Sequence, residues 1–125
     1  MSTFDYIVRN GKLEMGHNVT LTHSVSIICY DHIRIGDGTM LSPGVVIVDF
    51  NHPLEMDKVE HIKKVGKTAE VIIGKRCWIG ANSVILKGVT LGDDCVVGAG
   101  SVVTKSFPEK SIIIGNPAKL IRTRT

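Results

Sequence analysis

From Ile73 to Phe107 the chain reads in sixes: IGKRCW, IGANSV, ILKGVT, LGDDCV, VGAGSV, VTKSFP. The first place holds Ile73, Ile79, Ile85, Leu91, Val97 and Val103, and the second is Gly at 74, 80, 92 and 98. The fifth holds Cys77, Ser83, Val89, Cys95, Ser101 and Phe107, small or mid-sized in all but the last. This period fits neither a helix nor one long alternating strand. It fits short strands joined by tight corners, with one side chain per strand aimed at a shared axis. Three hexads make a triangular coil, and successive coils stack as a parallel β-solenoid. Residues eighteen apart then sit one strand spacing apart, about 4.8 Å, so Ile73 lies under Leu91, Ile79 under Val97 and Cys77 under Cys95. The glycines are expected at corners whose backbone angle penalises a Cβ.

The same rhythm runs earlier in the chain, from Met15-Gly16 through Leu21 and Ile27, with Val19 and Val25 in the fifth place. Across Ile28-Cys29-Tyr30-Asp31-His32 it slips by two residues, an insertion expected to widen one corner. It resumes at Ile35-Gly36, Leu41 and Ile47, with Pro43-Gly44 at a corner. After Ile47 it stops, and a polar excursion of about 53–70 follows, in which Glu55 to Lys64 has room for a helical turn or two. Long loops inside compact repeats tend to carry function. Met1 to Lys12 is read as a lead-in whose Phe4, Tyr6, Ile7 and Val8 cover the open end of the solenoid. Pro108 closes the regular run, Ser111 to Ile114 is a last strand, and Lys119 to Arg124 is a basic tail with helical potential.

The chain has room for one domain, 1–125, all-β, with the excursion and a C-terminal tail of about 111–125 as its departures from the repeat. A net charge of +3 without a block of basic residues argues against a nucleic-acid partner. No apolar run approaches the length of a membrane span, and Met1 to Lys12 lacks the apolar core of a signal peptide. Cys29, Cys77 and Cys95 are odd in number with no C-x-x-C spacing, which suits buried or free thiols in a reducing cytoplasm. No metal is expected.

On IGDGTMLSPGVVI, NHP, IGKRCWIGANSVILKGVTLGDDCVVGAGSVVTK and GNPAKLIR, the sequence resembles the hexapeptide-repeat acyltransferases, in the branch of maltose and galactoside O-acetyltransferases. The resemblance covers about Gly36 to Arg122. It implies a left-handed parallel β-helix, a handedness the period alone does not fix. It also implies a homotrimer with sites between subunits, and acetyl-CoA as donor to a sugar acceptor.

Acetyl transfer to a hydroxyl needs a base as the C–O bond forms, and an imidazole suits that role. His52 stands in the NHP position, seventeen residues after Ile35, and is the expected base. Asp49, Asp31 or a backbone carbonyl could orient it. By resemblance the backbone N–H of Ala81 is the oxyanion donor, and Trp78, the only tryptophan, flanks the pantetheine arm. Gly80, Ala99 and Gly100 would let that arm approach closely, and Thr104, Lys105, Lys119 and Arg122 match positions at the nucleotide end. His23, Asp31, Asp49 and Asn51 are candidates for the acceptor. His17, His32 and His61 are read as surface or structural residues.

Two departures shift the expected acceptor. The maltose and galactoside enzymes carry a helical N-terminal segment, whereas about a dozen residues precede the repeat here, and an Asn of theirs is replaced near Thr22 to Ser24. Both favour a nucleotide-linked sugar or a surface-polysaccharide unit over free maltose or galactoside. The alternatives are a xenobiotic or amino-sugar N-acetyltransferase, a γ-carbonic-anhydrase-like metal enzyme and a non-catalytic scaffold. Against the metal site, Glu70 and Arg34 stand one coil on either side of His52, where histidines are needed. Against the scaffold stand His52, Trp78 and GNPAK together.

Overall fold

A computed structural model describes residues 11–51 and 66–125, together with the backbone of the strand Phe4–Val8. Every regular element in it is a strand. In chain order they are β1 (Phe4–Val8), β2 (Lys12–Met15), β3 (Thr20–Leu21), β4 (Val25–Cys29) and β5 (His32–Ile35). Then come β6 (Met40–Leu41), β7 (Val46–Val48), β8 (Val71–Ile73), β9 (Trp78–Ile79) and β10 (Val84–Ile85). The last are β11 (Thr90–Leu91), β12 (Val96–Val97), β13 (Val102–Val103), β14 (Ser111–Gly115) and β15 (Ala118–Thr123). As far as β13 every third strand joins the same sheet, which gives a prism with three faces. The first face is β1-β4-β7-β10-β13, the second β2-β5-β8-β11, and the third β3-β6-β9-β12-β14-β15. All pairings are parallel except β14 with β15. This parallel solenoid is consistent with the left-handed β-helix that the motifs imply.

The expected columns are present. Ile73 pairs with Leu91 and Ile79 with Val97. The first-place residues from Ile27 to Val103 are buried, as are Cys77, Ser83, Val89, Cys95 and Ser101 of the fifth place. Each fully buried aliphatic stabilises the prism by about 1.5–3 kcal/mol. The two-residue slip also lies where expected: Met15, Leu21 and Ile27 pair with Ile35, Leu41 and Ile47, twenty residues on, and Tyr30-Asp31 fills the corner between β4 and β5.

Four expectations are corrected. The repeat begins before Met15, because β1 already pairs with β4 as a strand of the first face; its offset of twenty-one residues (Tyr6 to Ile27) hides it from a six-residue reading. The side chains of the supposed cap, Phe4, Tyr6, Ile7 and Val8, lie outside the described residues. Second-place glycines serve close approach: a Cβ on Gly36 would meet Gly74 C at 2.6 Å, and one on Gly80 would meet Ala99 N at 2.6 Å. The left-handed backbone falls two residues later, at Asn18, Ser24, Gly38, Gly44, Arg76, Asn82, Gly88, Asp94, Gly100 and Lys110. Phe107 bridges to Leu91, so it fills a first place in a coil shortened by two residues, which explains its misfit in the fifth. Finally, Ala118–Thr123 is a strand antiparallel to β14, because the chain reverses at Asn116-Pro117 and main-chain bonding to β14 outcompetes a lone helical turn.

The excursion leaves the prism as a short antiparallel stem. Phe50 bridges Thr68, Asn51 N–H donates to Lys67 C=O at 3.2 Å, and Ala69 N–H donates to Asp49 C=O at 3.0 Å. His52, His61 and the stretch with helical potential lie outside the described residues. Among those described, no helix is long and apolar enough to cross a membrane.

Candidate active site

The three edges of the prism differ in kind. The corner from the second face to the third is charged, and its third-place amides are capped by carboxylates from the next coil. His17 N–H donates to Asp37 Oδ1 at 2.8 Å, and Lys75 N–H to Asp93 Oδ1 at 2.8 Å. Arg76 and Asp94 add a two-pronged ion pair at 2.9 and 3.1 Å, which holds the Asp94 carboxyl below its usual range.

The corner from the third face to the first carries His23, Pro43-Gly44, Gly80-Ala81 and Ala99-Gly100. Ala81 stands in the third place, but the next coil offers Ala99 there rather than an aspartate. Among the described residues the Ala81 N–H has no acceptor. Beside it lies an apolar groove of about 460 Å³ lined by Ser42, Pro43, Trp78, Gly80, Ala81, Val96, Val97, Gly98 and Ala99. Gly80 and Gly98 let the coils close up beneath it: the backbone of Val97 to Ala99 packs against Gly80, and Ile114 leans over Gly98 from the coil above. Trp78, 53% exposed, forms one wall. Ser42 and Pro43 were not legible as groove residues, since the excursion puts Leu41 thirty-eight residues from its partner Ile79, not eighteen.

The corner from the first face to the second gathers the insertions, Tyr30-Asp31 and the excursion stem, and also the shortened turn that carries Thr104-Lys105. Asp49 is fully buried, and its carboxylate accepts the N–H groups of Tyr30 at 2.8 Å and Asp31 at 2.7 Å. It fixes this corner from within, while Asp31 and Asn51 are exposed. The ring of Tyr30 meets that of Phe50 edge-on at 4.6 Å. Cys29 is buried next to Asp49, and burial followed by that negative charge pushes its thiol up to about 11. Lys105 holds its ammonium 5.6 Å from the Phe107 ring centre.

The candidate residues thus fall into separate groups. Trp78, Gly80, Ala81, Ala99, Gly100 and His23 share the groove corner. Asp31, Asp49, Asn51, Thr104 and Lys105 belong to the insertion corner, and Lys119 and Arg122 lie exposed on β15 at the edge of the third face. His32 takes a structural part. Its Nε2 faces Glu14 Oε2 at 2.9 Å and its Nδ1 faces Glu70 Oε2 at 3.2 Å. Both carboxylates, Glu14 first, raise its pKa, and Glu14 is held down at about 2 by His32 and then Lys12. The cysteines are free and buried. Cys77 donates to Gly92 C=O and Cys95 to Pro108 C=O, each at 3.2 Å.

Comparison with known proteins fits this geometry. A family model described as the hexapeptide repeat of succinyl-transferase matches residues 70–105. WbbJ of Escherichia coli (strain K12), provisionally named as a lipopolysaccharide biosynthesis O-acetyl transferase, is 34% identical over 119 residues. That alignment takes in 90% of this chain and 61% of the relative's length, so the chain spans about three fifths of it. A maltose O-acetyltransferase from Clostridium difficile 630 superposes with a TM-score of 0.74 at 31% identity, covering 99% of this chain and 70% of that one. A galactoside acetyltransferase solved in complex with coenzyme A superposes with a TM-score of 0.74 at 28% identity, covering 96% and 65%. With its repeat, its coil register and these relatives in agreement, the chain belongs to the hexapeptide-repeat acyltransferase family.

Proposed function

We propose that this chain is an acetyl-CoA-dependent O-acetyltransferase acting on a sugar hydroxyl, with a nucleotide-linked sugar or a surface-polysaccharide unit as the favoured acceptor. The observation that carries the reading is the apolar groove beside an amide that, among the described residues, lacks an acceptor. The groove suits the thioester arm of acetyl-CoA, with Trp78 on one side, Gly80 and Ala99 in its lining and open space at Gly100. The exposed cations Lys105, Lys119 and Arg122, with Thr104, suit the phosphates at the nucleotide end.

In the reaction, the His52 imidazole takes the acceptor's hydroxyl proton as its oxygen attacks the thioester carbonyl. The Ala81 N–H bonds the oxyanion that forms. Collapse breaks the C–S bond, and the imidazolium returns the proton to the departing CoA thiolate. No metal takes part. His23, Asp31 and Asn51 are assigned to the acceptor, with Asp49 behind them as the fixed support of Tyr30-Asp31.

The excursion stem and the Ala81 groove stand at opposite edges of the first face, so a shared site between copies suits this arrangement. A homotrimer in which the insertion corner of one copy meets the groove corner of the next would complete it. Apolar columns support that packing: Val46, Val84 and Val102 line the outward first face, and Met40, Trp78, Val96 and Ile112 the outward third. The outward second face instead carries Glu14 and Arg34. Free buried thiols suit a cytoplasmic enzyme. The name of the lipopolysaccharide relative supports the choice of acceptor class.

The test is an acceptor screen with acetyl-CoA, read by released thiol, across nucleotide sugars, free sugars, serine and chloramphenicol. His52→Ala should cut turnover by about two to four orders of magnitude while leaving CoA binding close to wild type. Full transfer by that variant would refute the assignment of the base. Preference for an amine or a xenobiotic would overturn the acceptor class.

A further inference from the structure

Trp78 is half exposed, yet its ring is not free. It projects from the outward side of β9, in register with Met40 one coil below and Val96 one coil above. Its indole N–H, which can only donate, bonds the Ser42 hydroxyl at 3.1 Å. Leu41 pairs with Ile79, so Ser42 lies directly beneath Gly80. The indole therefore reaches diagonally down to a hydroxyl on the neighbouring coil.

That hydroxyl is a fixed point. Ser42 is 8% exposed, its N–H donates to Ile79 C=O at 3.0 Å, and its C=O accepts from Val45 at 3.3 Å. Ser42 and Trp78 line the same groove. Without an acceptor at position 42, the indole has an apolar alternative nearby, the groove lining that includes Pro43, Val96 and Ala99. Burying the ring there is favourable and would close the groove.

We infer that Ser42 is a positioning residue of the donor groove: it pins the Trp78 indole as a wall and keeps the groove open before the donor arrives. The inference rests on the donor reading above and adds a residue to it. A preset wall removes an ordering cost from binding, so its loss is felt in donor affinity more than in turnover.

Because Trp78 is the only tryptophan, its emission reports on this contact directly. Ser42→Ala should raise the KM for acetyl-CoA, and the Kd from Trp78 quenching, by about 3- to 10-fold. The KM should change by a larger factor than kcat, and time-resolved anisotropy should show a more mobile indole. Ser42→Thr, which keeps an acceptor, should restore both. In a Trp78→Phe background, Ser42→Ala should raise KM no further. The inference fails if Ser42→Ala leaves anisotropy and donor Kd at wild-type values, or if it weakens the donor equally in the Trp78→Phe background. If acetyl-CoA leaves wild-type Trp78 emission unchanged and no transfer occurs, the donor reading itself fails. A wild-type response that Ser42→Ala reproduces at the same concentrations removes Ser42 alone.

Discussion

Two inactive variants, mixed, test whether one site is built from two copies. The proposed base follows the excursion stem at one edge of the first face, and the Ala81 amide lies at the other. His52→Ala removes the base. Ala81→Pro removes the amide proton, and the local geometry favours proline there. Ser83 N–H bonds Gly80 C=O at 3.3 Å and Asn82 has φ of 59°, the pattern of a type II turn, in which proline suits the second position. Among the described residues the Ala81 N–H has no acceptor to lose. Alone, the first variant should fall to about 1% of wild-type activity or below, and the second by about 100- to 1,000-fold, the usual cost of one oxyanion donor.

Co-expressed in equal amounts, the two variants assort at random within a cyclic assembly. A site works when its base comes from an Ala81→Pro copy and its amide from a His52→Ala copy, which happens about one time in four. The mixture should therefore recover about a quarter of wild-type turnover per site, with an unchanged KM for acetyl-CoA at the recovered sites. The unfractionated assemblies, assayed by released thiol, give the number, and purified hetero-trimers should give about a third. If one chain supplied both groups, the mixture would stay near the average of two inactive proteins, and the shared-site argument would be refuted.

Two further tests concern the frame. Gly80→Ala should cost about 1–3 kcal/mol by forcing coils apart, and lower Tm by about 3–12 °C, since its Cβ meets only backbone at 2.6–2.9 Å. Gly100 has φ of 72° and open space around it, so Gly100→Asn should be nearly neutral while Gly80→Asn is worse than Gly80→Ala; equal costs at the two sites would contradict the division of labour between them. The Glu14–His32–Glu70 contact should be pH-dependent. The raised His32 pKa means that its stabilisation is complete below the ordinary histidine value and lost as pH rises through the folded one. Glu14, held at about 2, contributes above its ordinary value and fades as pH falls toward 2. The Tm difference between wild type and His32→Gln should thus be largest near pH 5–6, about 1–3 °C, and shrink on either side; a difference independent of pH would rule out the imidazolium.

What the residues disclosed, and what they withheld, follows from how each feature is encoded. Inward columns repeat along the chain, so Ile73 over Leu91 was legible from spacing alone. Contacts across an insertion are not periodic, and this hid Ser42 beneath Gly80. The second-place glycines stood out by identity, but identity does not distinguish a left-handed angle from a close approach; only the coil above, with Ala99 N where a Cβ would stand, decides it. Phe107 announced a break in register by its size before the bridge to Leu91 located that break. The tail from Lys119 to Arg124 has no partner within its own sequence, so its pairing with β14 depended on the reversal at Asn116-Pro117.

The placement of the insertions explains how one frame can keep the proposed donor groove while the proposed acceptor side changes. Tyr30-Asp31 and the excursion all enter at the corner between the first and second faces, where lengthening a loop costs little entropy. Asp49 absorbs the first of these by taking two corner amides on one buried carboxylate. The stem absorbs the second by bonding to itself. Neither insertion disturbs the stacking of β6, β9, β12 and β14, on which the groove depends. A change within the excursion should therefore alter acceptor preference at constant donor KM, whereas a change at Gly80 or Gly98 should do the reverse.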